Sequence, residues 1–286
     1  MKKKILLIGS NGFIGRNLNS YLKKHYIIYH INRKTIKKNS KNISCDITKL
    51  RSLKKKISTL PKLDYVINLS GQAENNKLQM YNNIYLGNRN IIECFNKTDT
   101  IKVFFSTTLV YGHSNYYSNI KSRLRPSSNY SKIKVKTEKL YYKSSNNFLI
   151  FRVGNVYDDL FKKKGLLNNL FNSIQNDTIF NVNKMNSIRN YIHADDLSRI
   201  IKIILDRKIV NKTLNIGHQN FSNKKIINLF EKIFNKKIRV NNLNKSFILD
   251  PNIKISSNII LKSLNYKFKK NLRSVIRKKK NEKKNF

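Results

Sequence analysis

Carboxylates are scarce in this chain, and so are cysteine, proline and glycine. Its 286 residues hold 15 Asp+Glu against 59 Lys+Arg, with two cysteines, three prolines and nine glycines. Two cysteines cannot build a disulfide scaffold, and Cys45 and Cys94 belong to no CxxC or Cys/His cluster of the kind that binds a metal. Both stand among apolar residues, as buried structural thiols in a reducing cytoplasm would. No apolar run reaches the roughly eighteen residues that a membrane-spanning helix needs. With so little proline and glycine, no linker announces a domain boundary, and no internal repeat is visible.

The shortage of carboxylates leaves a formal net charge of +44. Such a charge attracts nucleic acid, anionic membrane or anionic metabolites. The lysines are nevertheless scattered along the whole chain beside abundant asparagine and isoleucine, the trio that AT-rich coding drives into permissive surface positions. Aromatic and basic residues are not interleaved on any segment as a base-stacking platform requires, so a nucleic-acid partner is not expected. A phosphate-bearing metabolite would gain from the field in either case.

What is present is a 40% hydrophobic content, enough for a sizeable core. Short apolar runs alternate with helix-length segments through the first 155 residues. The strand candidates are Ile5–Gly9, Tyr26–Ile31, Asn42–Cys45, Tyr65–Ser70, Lys102–Ser106 and Phe148–Val153. Helices are expected at Phe13–Lys24, Met80–Phe95 and Ser131–Lys143. This alternation predicts an α/β fold, a doubly wound parallel sheet of Rossmann type covered on both faces. Beyond Gly154 the texture changes. Two more helices, Ala194–Asp206 and Asn223–Phe234, flank a strand at Thr213–Ile216, and the lysine-rich end (276–286) reads as a frayed, solvated terminus. The predicted division is a dinucleotide-binding domain over 1–157, to which 189–217 returns, and a smaller C-terminal substrate domain from 158–188 and 218–286.

GSNGFIG places Gly9, Gly12 and Gly15 at three-residue spacing between an apolar strand and a helix. Glycines there permit a tight turn, close backbone approach to a pyrophosphate, and tight helix-on-strand packing. The helix N-terminus then offers N–H groups to an anion. A secretory signal is the competing reading of MKKKILLIG. Its apolar stretch is too short, and no small-residue cleavage site ends it. The second strand ends His30-Ile31-Asn32-Arg33-Lys34, without the carboxylate that grips the ribose hydroxyls of NAD. Arg33 suits the 2′-phosphate of NADP, so NADP is preferred over NAD. Asp46 is placed either to accept from the adenine amino group or to cap the helix after it.

Tyr130 and Lys134 lie four apart in a helix-forming stretch and share a face. A tyrosine of ordinary pKa near 10 is a poor base. A neighbouring ammonium favours its phenolate and makes a usable acid/base for carbonyl/alcohol interconversion. The strand Phe104–Thr107 ends in hydroxyls before a turn at Gly112. Thr107 is placed to hydrogen-bond a reacting oxygen. Thr107 and Thr108 are equally compatible with ordinary turn residues, and Tyr111 with a core aromatic.

Taken in order, these stretches resemble the extended short-chain dehydrogenase/reductase family, the branch of nucleotide-sugar epimerases, dehydratases and reductases. The similarity runs through GSNGFIG, DYVINLSGQA (64–73), YLGNRNIIECF (85–95), STTLVYG, YSKIK, FRVGNVYDD (151–159), RNYIHADDL (189–197) and TLNIGHQ (213–219). The resemblance implies Thr107, Tyr130 and Lys134 as the catalytic trio, with Lys134 also holding the nicotinamide ribose. It implies a cofactor wall of Gly9, Asn11, Gly12, Phe13, Ile14, Gly15, Arg33, Asp46, Ile47, Leu69, Ser70 and Gly71. Asn155 is implied to contact a sugar nucleotide and Arg189 its phosphates, while Asp195 and Asp196 either tie the C-terminal helix to the sheet or cap a helix. A homodimer through the helices around 80–95 and 131–143 is implied as well. The implied activity is hydride transfer at a carbinol or keto carbon, by a 4-keto-sugar reductase or an NAD-retaining epimerase. Three departures stand out. The acidic pair of dehydratases is replaced by Thr108 and Leu109, the turn glycine after the sixth strand by Asp158, and the asparagine expected at Ile84 is displaced to Asn83. Loss of catalysis in favour of nucleic-acid binding is the remaining, less favoured, possibility.

Overall fold

The computed structural model describes residues 2–34, 41–71, 76–144, 146–161, 163–246, 250–256 and 263–284. Gln72 and Ala73, at the end of the segment DYVINLSGQA, lie outside these residues.

A central sheet is built from β1 (Lys4–Ile8), β2 (Ile27–Asn32), β3 (Asn42–Ser44), β4 (Tyr65–Asn68), β5 (Ile101–Thr107), β7 (Phe148–Val153) and β11 (Lys212–Ile216). Two-residue β6 (Tyr117–Ser118) lies outside it. Every pairing in the sheet is parallel, in the order β11-β7-β5-β4-β1-β2-β3. The strand runs KILLI, YVIN and FLIFRV are buried almost throughout. Sheets covered on both faces have no solvent side to alternate with, so apolar runs are continuous. One face packs on α1 (Phe13–Leu22) and α7 (Ala194–Asp206) through a core containing Leu18, Leu22, Ile200 and Ile204. The other is covered by α2 (Leu50–Ile57), α3 (Lys77–Tyr81), α4 (Gly87–Cys94) and α5 (Asn129–Ser144), over apolar side chains such as Leu53, Ile91, Phe104 and Ile133.

The helix expected over Met80–Phe95 is present, continuous from Lys77 to Cys94, and carries a π-bulge. Between α3 and α4, Asn82–Leu86 forms a π-turn. A π-turn absorbs one extra residue without ending a helix, and such bulges concentrate at functional sites.

The remaining elements form a smaller lobe. It contains β8 (Asn155–Tyr157), α6 (Leu166–Asn176), β9 (Phe180–Val182), β10 (Ile188–His193), β12 (Gln219–Ser222), α8 (Asn223–Phe234), β13 (Val240–Asn242), β14 (Lys254–Ile255) and α9 (Leu272–Lys284). Its own core gathers Leu170, Phe180, Ile226, Phe230 and Ile276. The small sheet β12-β10-β8 is keyed onto the ends of β7 and β11 by the buried Asn190, whose amide fills the space over Gly154 and Gly217; a Cβ on either would collide with it.

The lysine-rich end is α9 and not a frayed tail. Leu272, Val275 and Ile276 are buried, so an apolar stripe holds the helix, while Arg273, Arg277 and Lys278 face solvent. The segment before it is fastened by Asp196, which accepts from Tyr266 OH at 2.5 Å and from the backbone N–H groups of Lys269 and Lys270, both at 3.0 Å. Asp196 is therefore a tie, and the cap of α7 is His193, whose Nδ1 accepts from Asp195 N.

Replacing Asp196 with Ala should strip three donors of their buried acceptor and cost on the order of 3 kcal/mol. Hydrogen exchange in α9 is expected to rise before that of the central sheet. Unchanged protection of α9 would contradict this reading of the tie.

Candidate active site

The order of the central sheet reverses between β1 and β4, and ligands of open α/β sheets bind at such a switch point, beyond the carboxyl ends of the strands. The glycine turn lies there. Gly9 follows β1 with φ +79°, a left-handed conformation suited to glycine, and a Cβ would come within 3.1 Å of Ser70 N at the end of β4. Gly15 sits against the turn itself. A Cβ there would lie 2.7 Å from Ser10 Cα, so α1 closes onto its own entry loop only because residue 15 has no side chain. Gly12 differs: its nearest neighbour would be Gly9 O at 3.4 Å, an ordinary contact. The protein leaves the space over Gly12 open.

That space belongs to a cavity of about 620 Å³. Gly9, Asn11, Gly12, Arg33, Asp46, Ile47, Leu69, Ser70 and Gly71 line it. The first turn of α1 carries no acidic residue and its N-cap no side-chain bond, leaving N–H groups for an anion. These residues fit a dinucleotide. Phe13 and Ile14 do not reach the cavity wall; their side chains pack on the main core, and Gly15 is buried. At the far end Asn32 replaces a carboxylate. It donates to Ser10 Oγ at 2.9 Å and accepts from Asn11 N at 3.4 Å, so it shapes the turn. Arg33 is exposed and lines both this cavity and an adjoining one of about 260 Å³.

The Asp46 cap expectation is corrected. Its carboxylate accepts from Thr48 N at 2.9 Å and Thr48 Oγ1 at 2.8 Å, while the N-cap of α2 is Lys49. This Asx turn presents Ile47, whose carbonyl accepts from Asn90 at 2.9 Å. Asn83 is a wall residue not foreseen by sequence reasoning. The π-turn buries Ile84 against Gly71 and brings Asn83 to the cavity. The displaced asparagine was the available signal.

Thr107 ends β5 one strand beyond β4, buried, and its Oγ1 accepts from Leu109 N at 3.3 Å. Tyr130 and Lys134 share one face of α5. Lys134 is 3% exposed, donates to Phe105 O at 2.7 Å, and lies 5.4 Å from the Tyr130 ring centre. The expected electrostatics are reversed in the ligand-free protein. Burial raises Tyr130 to about 12 and lowers Lys134 to about 7, because both charged forms lose water. At neutral pH Tyr130 is thus a loaded acid. The trio does not line the large cavity.

Asn155 is exposed at a second cavity of about 140 Å³, with Asp158, Lys163 and Tyr191. The Lys163 ammonium stands 5.8 Å from the Phe13 ring, so this wall leans across the N-terminus of α1. Arg189 is engaged elsewhere: it pairs with Asp250 and donates to Ser187 Oγ at 3.1 Å. Among the described residues no cluster of metal ligands occurs, and no helix is long and apolar enough to cross a membrane. Cys45 and Cys94 are free thiols whose pKa values burial raises, that of Cys94 to about 11.

The glycines separate packing from binding. Gly15→Ala should lose about 1–3 kcal/mol by overpacking. Gly12→Ala should keep its denaturation midpoint and lose dinucleotide affinity, measured by quenching of reduced-nicotinamide fluorescence. Equal effects of the two substitutions on both quantities would contradict this division.

Comparison with known proteins agrees with this geometry. The sequence profile of the NAD dependent epimerase/dehydratase family matches residues 5–217. A dTDP-D-glucose 4,6-dehydratase of Dictyostelium discoideum is 29% identical over 271 residues, covering 79% of this chain and 62% of that protein. The chain therefore spans less than two thirds of that relative's length. Among solved structures, dTDP-glucose 4,6-dehydratase of Bacillus anthracis in complex with NAD superposes with a TM-score of 0.85 at 18% identity, covering 98% of this chain and 97% of that one. UDP-glucuronic acid 4-epimerase of Bacillus cereus, in complex with UDP-glucuronic acid and NAD, gives 0.83 at 20% identity over 99% of both chains. On the match to its profile, this chain belongs to the NAD-dependent epimerase/dehydratase family.

Proposed function

We propose that the protein transfers hydride between a nicotinamide dinucleotide and a carbinol or keto carbon of a nucleotide-linked sugar, as a reductase in preference to an epimerase. The observation that supports this reading is the pairing of Tyr130 with Lys134 on α5, where Lys134 is bonded to the Phe105 carbonyl of β5 two residues before Thr107. When bound, the dinucleotide supplies the hydride donor or acceptor and a cationic ring. Gly9, Gly12 and the α1 N-terminus would hold its pyrophosphate, and Asp46 and Ile47 its adenine end. The relatives that act on dTDP- and UDP-linked sugars support the substrate class. The second cavity, with Asn155, would take part of the sugar nucleotide, and the basic surface favours its phosphates.

Within this reading Thr107 donates to the sugar oxygen, since its Oγ1 already accepts from Leu109. Tyr130 delivers the proton as hydride arrives at carbon. A tyrosine with its pKa near 12 holds that proton at neutral pH, as reduction requires. Elimination of water is not supported. It needs an acid and a base beyond Thr107, and those positions are buried Thr108 and apolar Leu109.

Two measurements test the proposal. Purified protein is incubated with UDP-, GDP-, dTDP- and CDP-linked hexoses and 4-keto sugars while NADPH and NADH oxidation are followed separately. Tyr130→Phe should lower kcat by about 10²- to 10⁴-fold and leave dinucleotide binding intact. Near-normal turnover in that variant would sink the mechanism. For the choice of dinucleotide, Arg33→Ala should weaken NADPH by about tenfold or more, the loss of one charge-assisted contact, and leave NADH unchanged. Equal weakening of both would remove the case for NADP.

A further inference from the structure

Among the few carboxylates of the chain, Glu138 is 1% exposed in the interior. It lies on α5 one turn after Lys134 and two after Tyr130, on the same stripe of the helix. Opposite it a polar row crosses the sheet. Ser106 of β5, Arg152 of β7 and Asn215 of β11 share one register across three neighbouring strands. Ser106 Oγ donates to Glu138 Oε1 at 2.5 Å. Arg152 donates to the same carboxylate through Nε at 3.1 and 3.2 Å and through Nη2 at 2.7 Å. Its Nη1 donates to Tyr111 OH at 3.0 Å, and Tyr111 OH donates to Asn215 Oδ1 at 2.7 Å. Tyr111 closes the turn that Thr107 opens.

A buried ion pair is weak evidence of stability, because desolvation offsets much of its Coulomb energy and apolar side chains of equal volume serve as well. Its placement is more informative. One end grips the residue before Thr107, the other the end of the Thr107–Tyr111 turn, and the carboxylate itself rides on the helix of Tyr130 and Lys134. We propose that Glu138, clamped by Arg152, is a positioning residue that fixes the register of Tyr130 and Lys134 on α5 against Thr107 at the end of β5. This rests on the function proposed above.

The same carboxylate acts on Lys134 through space. Burial lowers the Lys134 ammonium to about 7, and Glu138 opposes that shift. The groups facing Lys134 are Tyr130 and Glu138 from α5 and the Phe104 ring and Phe105 carbonyl from β5. Those facing Glu138 are Lys134, Ser106, Arg152 and Tyr111. Burial works against the Arg152 charge, and the bonds to Glu138 more than restore it, so the pair stays ionised.

The test is a pH titration of the lysine Nζ resonances in the full chain, with Lys134 assigned from its loss in Lys134→Arg. Glu138→Gln should move the Lys134 midpoint down, because the charge that opposes desolvation is lost. It should also lower kcat by ~10²-fold with KM little changed, since a misplaced reacting group loses rate. Glu138→Gln combined with Arg152→Met leaves no unpaired buried charge and covers the case in which the single variant does not fold. It should fold and still show the lowered midpoint. An unmoved midpoint in whichever variant folds overturns the proposal, and so does a double variant with wild-type kcat, which would reduce the pair to a stabilising contact. A lowered midpoint in a protein that turns over no sugar nucleotide upholds the role of Glu138 and fails the functional reading alone.

Discussion

The close approach of α1 to its own entry loop is the constraint on which the site depends. With no Cβ at Gly15, the helix seats on the Gly9–Ser10 backbone, and Gly9 lies against the end of β4. The helix N-terminus therefore lies at the switch point beyond the carboxyl ends of β1 and β4. Every other wall of the cavity is fitted to that point. Asn32 braces the turn from β2, the Asx turn at Asp46 presents Ile47 from beyond β3, and the π-turn brings in Asn83 beside Gly71. A larger residue 15 would push α1 away and tilt its N-terminal amides out of line.

The scarcity of carboxylates has a structural counterpart. Several of the few acids sit at joints between elements. Asp196 fastens the segment before α9, and Asp159 meets His193, Lys270 and Lys278. Asp206 joins Tyr26 and Lys202, and Asp250 takes Arg189. Glu138 gathers three strands and a turn beneath Tyr130 and Lys134. In a chain of +44, any carboxylate finds a cation easily; what distinguishes these is that each takes at least one partner from a distant part of the sequence. The surplus lysines mostly face solvent. Where one is buried beside the site, as Lys134 is, lost hydration governs its protonation more than the overall charge does.

Much of the fold was legible because period and spacing are local properties. Phe148–Val153, Ala194–Asp206 and Asn223–Phe234 end where apolar periodicity and capping residues end. The glycine cavity was legible for the same reason, since turn, strand and helix follow one another directly. What escaped depends on contacts across the fold. The lysine-rich end looked like a frayed tail because the helix is held by three apolar residues and by Asp196, some seventy residues earlier. Arg189 was read as a phosphate ligand because its partner Asp250 lies 61 residues away. The polarity of Tyr130 and Lys134 was inverted because spacing reports proximity and not desolvation. Glu138 and Arg152 had a visible signal: one acid on a lysine-rich helix and one charge in an apolar strand. Only strand register made them a pair with Ser106 and Asn215.

The most direct measurement follows the hydride itself. Reduced dinucleotide carrying deuterium at C4 of the nicotinamide is incubated with the protein and a 4-keto nucleotide sugar, and the product is read by mass spectrometry and proton NMR. Deuterium should appear at the new carbinol carbon of the sugar. Deuterium that stays on the nicotinamide across the whole range of sugar nucleotides, with the dinucleotide bound, would contradict a hydride-transfer site at Thr107, Tyr130 and Lys134.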